Sequence, residues 1–200
     1  TSIFRGGVLY LNTGSRAALR NIADKPSDEE VDEHYIIDER IETADGPHKG
    51  QMVIVIKGMD RTQKFYGVTQ IVGDLGDGND YVEIKPSVDV PVTLTAGSGF
   101  KMILDHGTGK ATITGGSSFN IIETGSGSAV VNPGTGRTQV RSGTGSVTFV
   151  FSNDFDQPDA VVPMPADSST GPMLDVISSS SAKRTSIDFS ALPSDLSGQI

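Results

Sequence analysis

From Gly97 onward the hydrophobic pattern of this chain is periodic. In register the units read GSGFKMILD, HGTGKATIT, GGSSFNIIE, TGSGSAVVN, PGTGRTQVR and SGTGSVTFV. Four places after the second glycine of each Gly-x-Gly (Ser118 once takes its place) stand Ile103, Ile113, Ile122, Val131, Val140 and Phe149. After a first interval of ten they recur every nine residues. A short fixed period with glycine in one slot and a bulky apolar group in another predicts a solenoid. Each short strand buries one side chain, each Gly-rich turn reverses the chain, and two units close a coil of about eighteen residues. The expected fold is all-β: a right-handed parallel β-roll or β-helix solenoid with an irregular β N-terminal cap. Coils stacked about 4.7–4.9 Å apart predict columns of Ile113, Val131 and Phe149, and of Ile122 and Val140. Easy access to positive φ is the expected reason for the turn glycines.

Upstream the period is absent and local patterns take over. GGVLYLN reads as a strand, and SRAALRNIA as at most a turn or two of helix opened by Ser15. Residues 24–33, DKPSDEEVDE, read as a solvated loop. A calcium cluster of Asp28, Glu29, Asp32 and Glu33 is the lesser reading, because glycine punctuation is missing. HYIIDERIE (34–42) and QMVIVIK (51–57) read as strands joined by ADGPHKG, and QKFYGVTQIVGDL as a further strand pair. These elements are expected to form wider, irregular coils that seal one end, since a bare end leaves a core and a strand edge open. Val82 and Ile103 stand 21 residues apart, so that coil is longer than those after it. The expected division is a cap over 1–65, a roll over 66–151, and 152–200 as linker followed by a C-terminal strand. The linker composition, rich in Asp, Ser, Pro and Gly, spans 152–183.

Composition narrows the function classes. The net charge is −9, from 25 acidic and 16 basic residues, and no basic stripe is present to neutralise phosphates, which argues against nucleic acid. Cysteine is absent, so thiol chemistry is excluded. No apolar run approaches the length of a membrane span. A start at Thr1 without a leader reads as a piece of a larger polypeptide.

One upstream unit carries chemistry. Within GDGNDYVE (76–83), Gly76-x-Gly78-Asn79-Asp80-Tyr81-Val82 resembles the calcium-binding nonapeptide of the repeats-in-toxin, or hemolysin-type, β-roll of secreted bacterial proteins. FYGVTQIVGDLGDGNDYVEI also resembles the lead-in to such repeats in very large bacterial surface proteins. The resemblance implies Ca²⁺ as cofactor, with Asp80 as side-chain ligand and Gly76, Gly78 and Asp77 supplying turn carbonyls. It also implies a secreted or cell-surface location. Leu75 replaces the family's first glycine. The slots equivalent to Asp80 further on hold Lys101, Ala111, Asn120, Ala129, Thr138 and Val147, none a carboxylate, so a regular file of calcium ions is not expected. The alternative is that Asp80 caps its own turn by hydrogen bonding to nearby N–H groups.

Other chemistry is sparse. His34, His48 and His106 share no metal-ligand spacing and read as surface residues. Glu123 and Arg141 hold one slot in successive coils and are expected to form a cross-strand ion pair. Three functions follow. The first is a non-catalytic structural or adhesive roll segment of a larger secreted or surface protein. The second is a ligand-binding face for ice or polysaccharide, built from Thr108, Thr135 and Thr144 with Ser98, Ser117 and Ser126. The third is a carbohydrate-active β-helix enzyme using Glu123, Arg141, Asp105 and His106, which lacks a convincing acid/base pair.

Overall fold

Short strands with one apolar face must find both a sheet neighbour and a facing sheet, and this chain finds both by coiling. The structure, a computed structural model, describes residues 2–19 and 32–150, together with the backbone of two further strands at 174–178 and 184–188.

The N-terminal end is closed by strands that turn back. β1 (Ser2–Arg5) and β2 (Val8–Leu11) form an antiparallel hairpin. A 3-10 helix, Gly14–Leu19, matches the short helix expected after Ser15. β3 (His34–Ile41), β4 (Met52–Gly58) and β5 (Arg61–Tyr66) form an antiparallel meander. Met59 and Asp60 join β4 to β5 at φ 53° and 57°, the left-handed pair that a tight hairpin between twisted strands requires. β2 and β3 make the first coil, whereas β1 and β4 run antiparallel to it and β5 turns back against β4. The strand edges presented there are one of four residues and one bearing Arg61 and Lys64, both poor templates for another chain.

Nine strands follow, alternating between two sheets: β6 (Gln70–Asp74), β7 (Asp80–Ile84), β8 (Val92–Thr95), β9 (Lys101–Asp105), β10 (Ala111–Thr114), β11 (Asn120–Glu123), β12 (Ala129–Asn132), β13 (Thr138–Ser142) and β14 (Ser146–Val150). The even strands stack in parallel on β2 and the odd strands on β3. Leu94, Ile113, Val131 and Phe149 stand opposite one another in one sheet. Tyr35, Val82, Ile103, Ile122 and Val140 do so in the other. All nine are buried, and both predicted columns are present. Burying a side chain of this size contributes about 1.5–3 kcal/mol relative to exposure, so the columns are the main cohesive element. Coil length settles from 21 residues (Val82 to Ile103) through 19 (Ile103 to Ile122) to 18 (Ile122 to Val140).

The reason for the turn glycines differs from the expected one. Gly76, Gly78, Gly99 and Gly134 do have positive φ, but Gly109, Gly116, Gly127 and Gly145 do not. Their constraint is clearance between stacked turns. A Cβ on Gly127 would lie 1.9 Å from the Gly109 carbonyl oxygen, and one on Gly145 1.8 Å from that of Gly127. The turns approach this closely because they hydrogen-bond coil to coil, as in Ser126 N–H to Gly107 O (3.1 Å) and Gly145 N–H to Gly125 O (3.1 Å).

The roll also continues past residue 151. β15 (Leu174–Ser178) pairs with β13 and β16 (Arg184–Asp188) with β14, placing Val176 opposite Val140 and Ile187 opposite Phe149. Part of the stretch expected to be linker is therefore a strand of the solenoid, and the strand expected after it pairs with the roll. The rest of 152–200 lies outside the described residues, as do 20–31. Among the described residues no helix is long and apolar enough to cross a membrane.

Candidate functional site

Alternation along β7 turns Tyr81 outward and Asp80 and Val82 inward, so Asp80 enters the interior at the corner where the chain leaves its turn. It is almost fully buried. Its Oδ1 accepts the Glu33 N–H at 2.9 Å. Its Oδ2 lies 2.6 Å from the Nζ of Lys101, which occupies the same slot one coil on. That ammonium also donates to the carbonyl oxygens of Gly78 and Ser98, each at 2.6 Å. An ammonium has three protons to donate; two go to these carbonyls, and the Asp80 carboxylate supplies the opposite charge.

Of the four residues expected to hold calcium, Asp80, Gly78 and Gly76 have the expected oxygens engaged elsewhere. Asp80 and Gly78 face the lysine. The Gly76 carbonyl accepts the Gly97 N–H at 3.0 Å. Asp77 sits on the exposed side of the turn, and its Oδ1 accepts the Ser98 N–H at 2.9 Å. The Ser98 hydroxyl and amide hold its carboxyl below the usual carboxylate range. Calcium requires six to eight oxygens, several of them charged. This corner offers one carboxylate and has a protein cation at its centre, so it does not fit the ion. Among the described residues no group of three or more His, Cys, Asp or Glu is arranged to hold a metal.

The same inward slot stays polar from β7 to β13 of this sheet. Asp80, Lys101, Asn120 and Thr138 stand opposite one another in turn. Asn120 Oδ1 accepts the Gly116 N–H at 2.9 Å, and its Nδ2 donates to the Ser118 carbonyl and to Thr138 Oγ1, both at 3.0 Å. The Thr138 hydroxyl donates to the Pro133 carbonyl at 2.8 Å. In the facing sheet the equivalent slots are apolar: Val92, Ala111, Ala129 and Val147. Capping of its own turn, the other role open to Asp80, falls to different residues. Asp74, Asp105 and Asn132 each accept the N–H two places on, from Gly76 (3.1 Å), Gly107 (2.9 Å) and Gly134 (3.0 Å).

The remaining candidates do not converge. Glu123 pairs as expected with Arg141 (2.8 Å), and its other oxygen lies 3.1 Å from His106 Nε2, all on the outer face. Asp105 points inward and is buried, so it does not join them. Burial raises its carboxyl above the ordinary value, against the lowering effect of the Gly107 N–H. The expected hydroxyl ladder divides between opposite edges. Ser98, Ser117 and Thr135 flank a hollow with Asp77, whereas Thr108, Ser126 and Thr144 lie on the other row of turns. Asp28 and Glu29 lie outside the described residues. Asp32 accepts the Asn79 N–H at 2.8 Å, and Glu33, read as part of a solvated loop, is buried. His34 meets the Tyr81 ring edge-on at 4.6 Å and His48 stacks on Tyr66 at 4.0 Å, so the histidines are dispersed.

Sequence reasoning missed two polar centres. One is Lys101, whose signal was its shared slot with Asp80. The other is Glu42 in the cap, which accepts Lys64 Nζ (2.6 Å), the Tyr66 hydroxyl (2.8 Å) and the Ala44 N–H (3.1 Å). These contacts, the lysine first, hold its carboxyl down at about 2. Comparison with protein-family models, with curated proteins and with solved structures finds no match to this chain.

Proposed function

We propose that this chain is a non-catalytic structural or adhesive β-roll segment of a larger secreted or cell-surface bacterial protein. The observation that carries the reading is continuity. Both eight-stranded sheets run unbroken from the cap into β15 and β16. Seven steps at about 4.8 Å give each sheet a length of about 34 Å. Such a rod separates or presents whatever is joined to it. The ionisable groups considered for chemistry on the roll are paired: Glu123 with Arg141 and His106, Asp80 with Lys101. The test is incubation of the protein with uronate polymers and other acidic polysaccharides, measuring products released and material bound. No turnover is expected, with any binding reversible. Product release that disappears in Glu123→Gln would replace the reading with an enzymatic one.

A second reading, a ligand-binding face, is favoured by one observation. Thr93 stands opposite Thr112, and Thr95 opposite Thr114, on the outward side of the even-stranded sheet. Ice-recrystallisation and glycan-binding assays on Thr95→Val/Thr114→Val test it. Activity lost with the fold intact would favour this face for ice or polysaccharide.

A further inference from the structure

We propose that the N-terminal cap carries an anion-binding hollow for the carboxylate or sulfate groups of an acidic polysaccharide, whose chain continues along the outer face of the even-stranded sheet. The inference rests on the reading of that face as a polysaccharide surface and specifies the charge of its ligand. Alternation along β1 places Ile3 and Arg5 on one side of the hairpin, and the register sets Ile3 beside Tyr10 of β2. The 3-10 helix then lays the Arg16 guanidinium over the Tyr10 ring, 4.7 Å from its centroid. These four side chains line a hollow of about 370 Å³, room for a sugar-sized group. Residues 2–19 hold Arg5 and Arg16 and no acidic residue, in a chain of net charge −9. Among the described residues neither arginine has a carboxylate within ion-pair distance, and the buried Arg16 Nε has no acceptor. Asp74, the acid that anchors the helix, is turned to backbone amides: its oxygens accept the N–H of Ser15 (3.2 Å) and of Gly76 (3.1 Å). A guanidinium stacked on a ring is fixed in orientation and keeps its N–H edge for the oxygens of an anion. Arg5, which is exposed, adds a second positive charge. From Tyr10 the same outward row runs on through Val72, Thr93 and Thr112, offering hydroxyls to a chain that leaves the hollow along the roll. Ice carries no charge, so two arginines at the end of this row favour an acidic polymer over ice.

The experiment titrates polygalacturonate, dextran sulfate and neutral dextran into the full chain by calorimetry, at low and at high salt. At least one acidic polymer should bind reversibly and lose affinity in high salt, with neutral dextran inert. The tighter of the two identifies the anionic group. Arg16→Gln should weaken binding by about tenfold, the loss expected for a charged hydrogen bond. Arg5→Gln, at an exposed position, should weaken it by about threefold. Arg16→Lys keeps the charge without the flat fork and should fall between wild type and Arg16→Gln. Thermal midpoints should be unchanged in the arginine variants. If Arg16→Gln fails to fold, Arg5→Gln decides the matter, because its side chain packs against nothing that holds the cap together. Binding undiminished in Arg5→Gln and Arg16→Lys overturns the hollow and leaves the adhesive roll standing, as does equal binding of neutral dextran. Absence of binding to both acidic polymers also overturns it, as does binding confined to anionic lipid vesicles. Cleavage of a polymer whose binding still depends on both arginines supports the hollow and removes only the non-catalytic reading.

Discussion

Replacing Gly127 by alanine tests whether the turns of this roll are limited by contact between coils or by backbone conformation. Gly127 has no positive φ, so a side chain there carries no left-handed strain. Its Cβ, however, would lie 1.9 Å from the Gly109 oxygen, 2.7 Å from the Thr108 oxygen and 2.8 Å from the Gly109 carbonyl carbon. All three are backbone atoms of a hydrogen-bonded turn and cannot rotate away. Relief requires the coils to separate locally by more than 1 Å, a movement of about that size being what a normal contact near 3 Å demands. Overpacking costs about 1–3 kcal/mol, and the upper end applies where backbone must move. At about 2–4 °C per kcal/mol for a chain of this size, the midpoint should fall by about 6–12 °C. Gly50→Ala is the matched control: φ is +82° there and nothing lies within 4 Å of the added Cβ. Left-handed strain alone costs about 1–2 kcal/mol, so its midpoint should fall by about 2–8 °C. Thermal unfolding followed by circular dichroism, with urea titration as a second measure, decides the matter. If Gly127→Ala melts with the wild type, or Gly50→Ala is the more damaging, clearance is not what fixes the turn glycines.

Three further outcomes follow. Lys101→Met and Asp80→Asn should each cost about 3–5 kcal/mol in urea unfolding, because each strands a buried group, whereas the double variant should lie near the wild type; additive costs would refute the pairing. Glu42 has a folded value of about 2 against an ordinary 4.5, so its stabilisation is complete above 4.5 and is lost as pH falls through about 2. Glu42→Gln should therefore flatten the acid limb of a midpoint-against-pH curve, and an unchanged limb would rule this out. Asp105 is shifted the other way. Its raised folded value means that the native state binds more protons above the ordinary 3.8, so stability declines as pH rises through that window. Asp105→Asn keeps an oxygen for the Gly107 N–H and should raise the midpoint at neutral pH but not at pH 3; a loss at neutral pH would contradict the sign.

The roll was legible because a single-file interior leaves a periodic trace. Each coil buries its side chains against the next, so Ile113, Val131 and Phe149 announce their own stacking, and Glu123 and Arg141 announce theirs. The cap was legible only as strands. Its antiparallel returns depend on pairings such as Ser2 with Leu11 and Tyr35 with Gly58, which no local period encodes. β15 was read as linker, and β16 as a strand of no fixed place, because more than 20 residues separate β14 from β15, which breaks the spacing although the register is kept. The corner at Asp80 was read through a resemblance to a calcium-binding repeat, which directs attention to oxygens. Its answer stood 21 residues away as a lysine, a residue that composition assigns to the surface. Glycine was correctly located and wrongly explained, since a sequence exposes φ preferences but not the distance between neighbouring turns.

A polymer of look-alike units faces a problem of phase: sliding one coil past the next leaves aliphatic meeting aliphatic, and Ile103 lies as comfortably beside Val140 as beside Ile122. The four unlike rungs Asp80, Lys101, Asn120 and Thr138 remove that freedom. Slip by one coil sets a carboxylate against an amide and an ammonium against a hydroxyl, stranding two charges in the dark interior. The mismatch works as a key cut differently at every tooth, so that a monotonous sequence has a single alignment in which nothing polar is left behind.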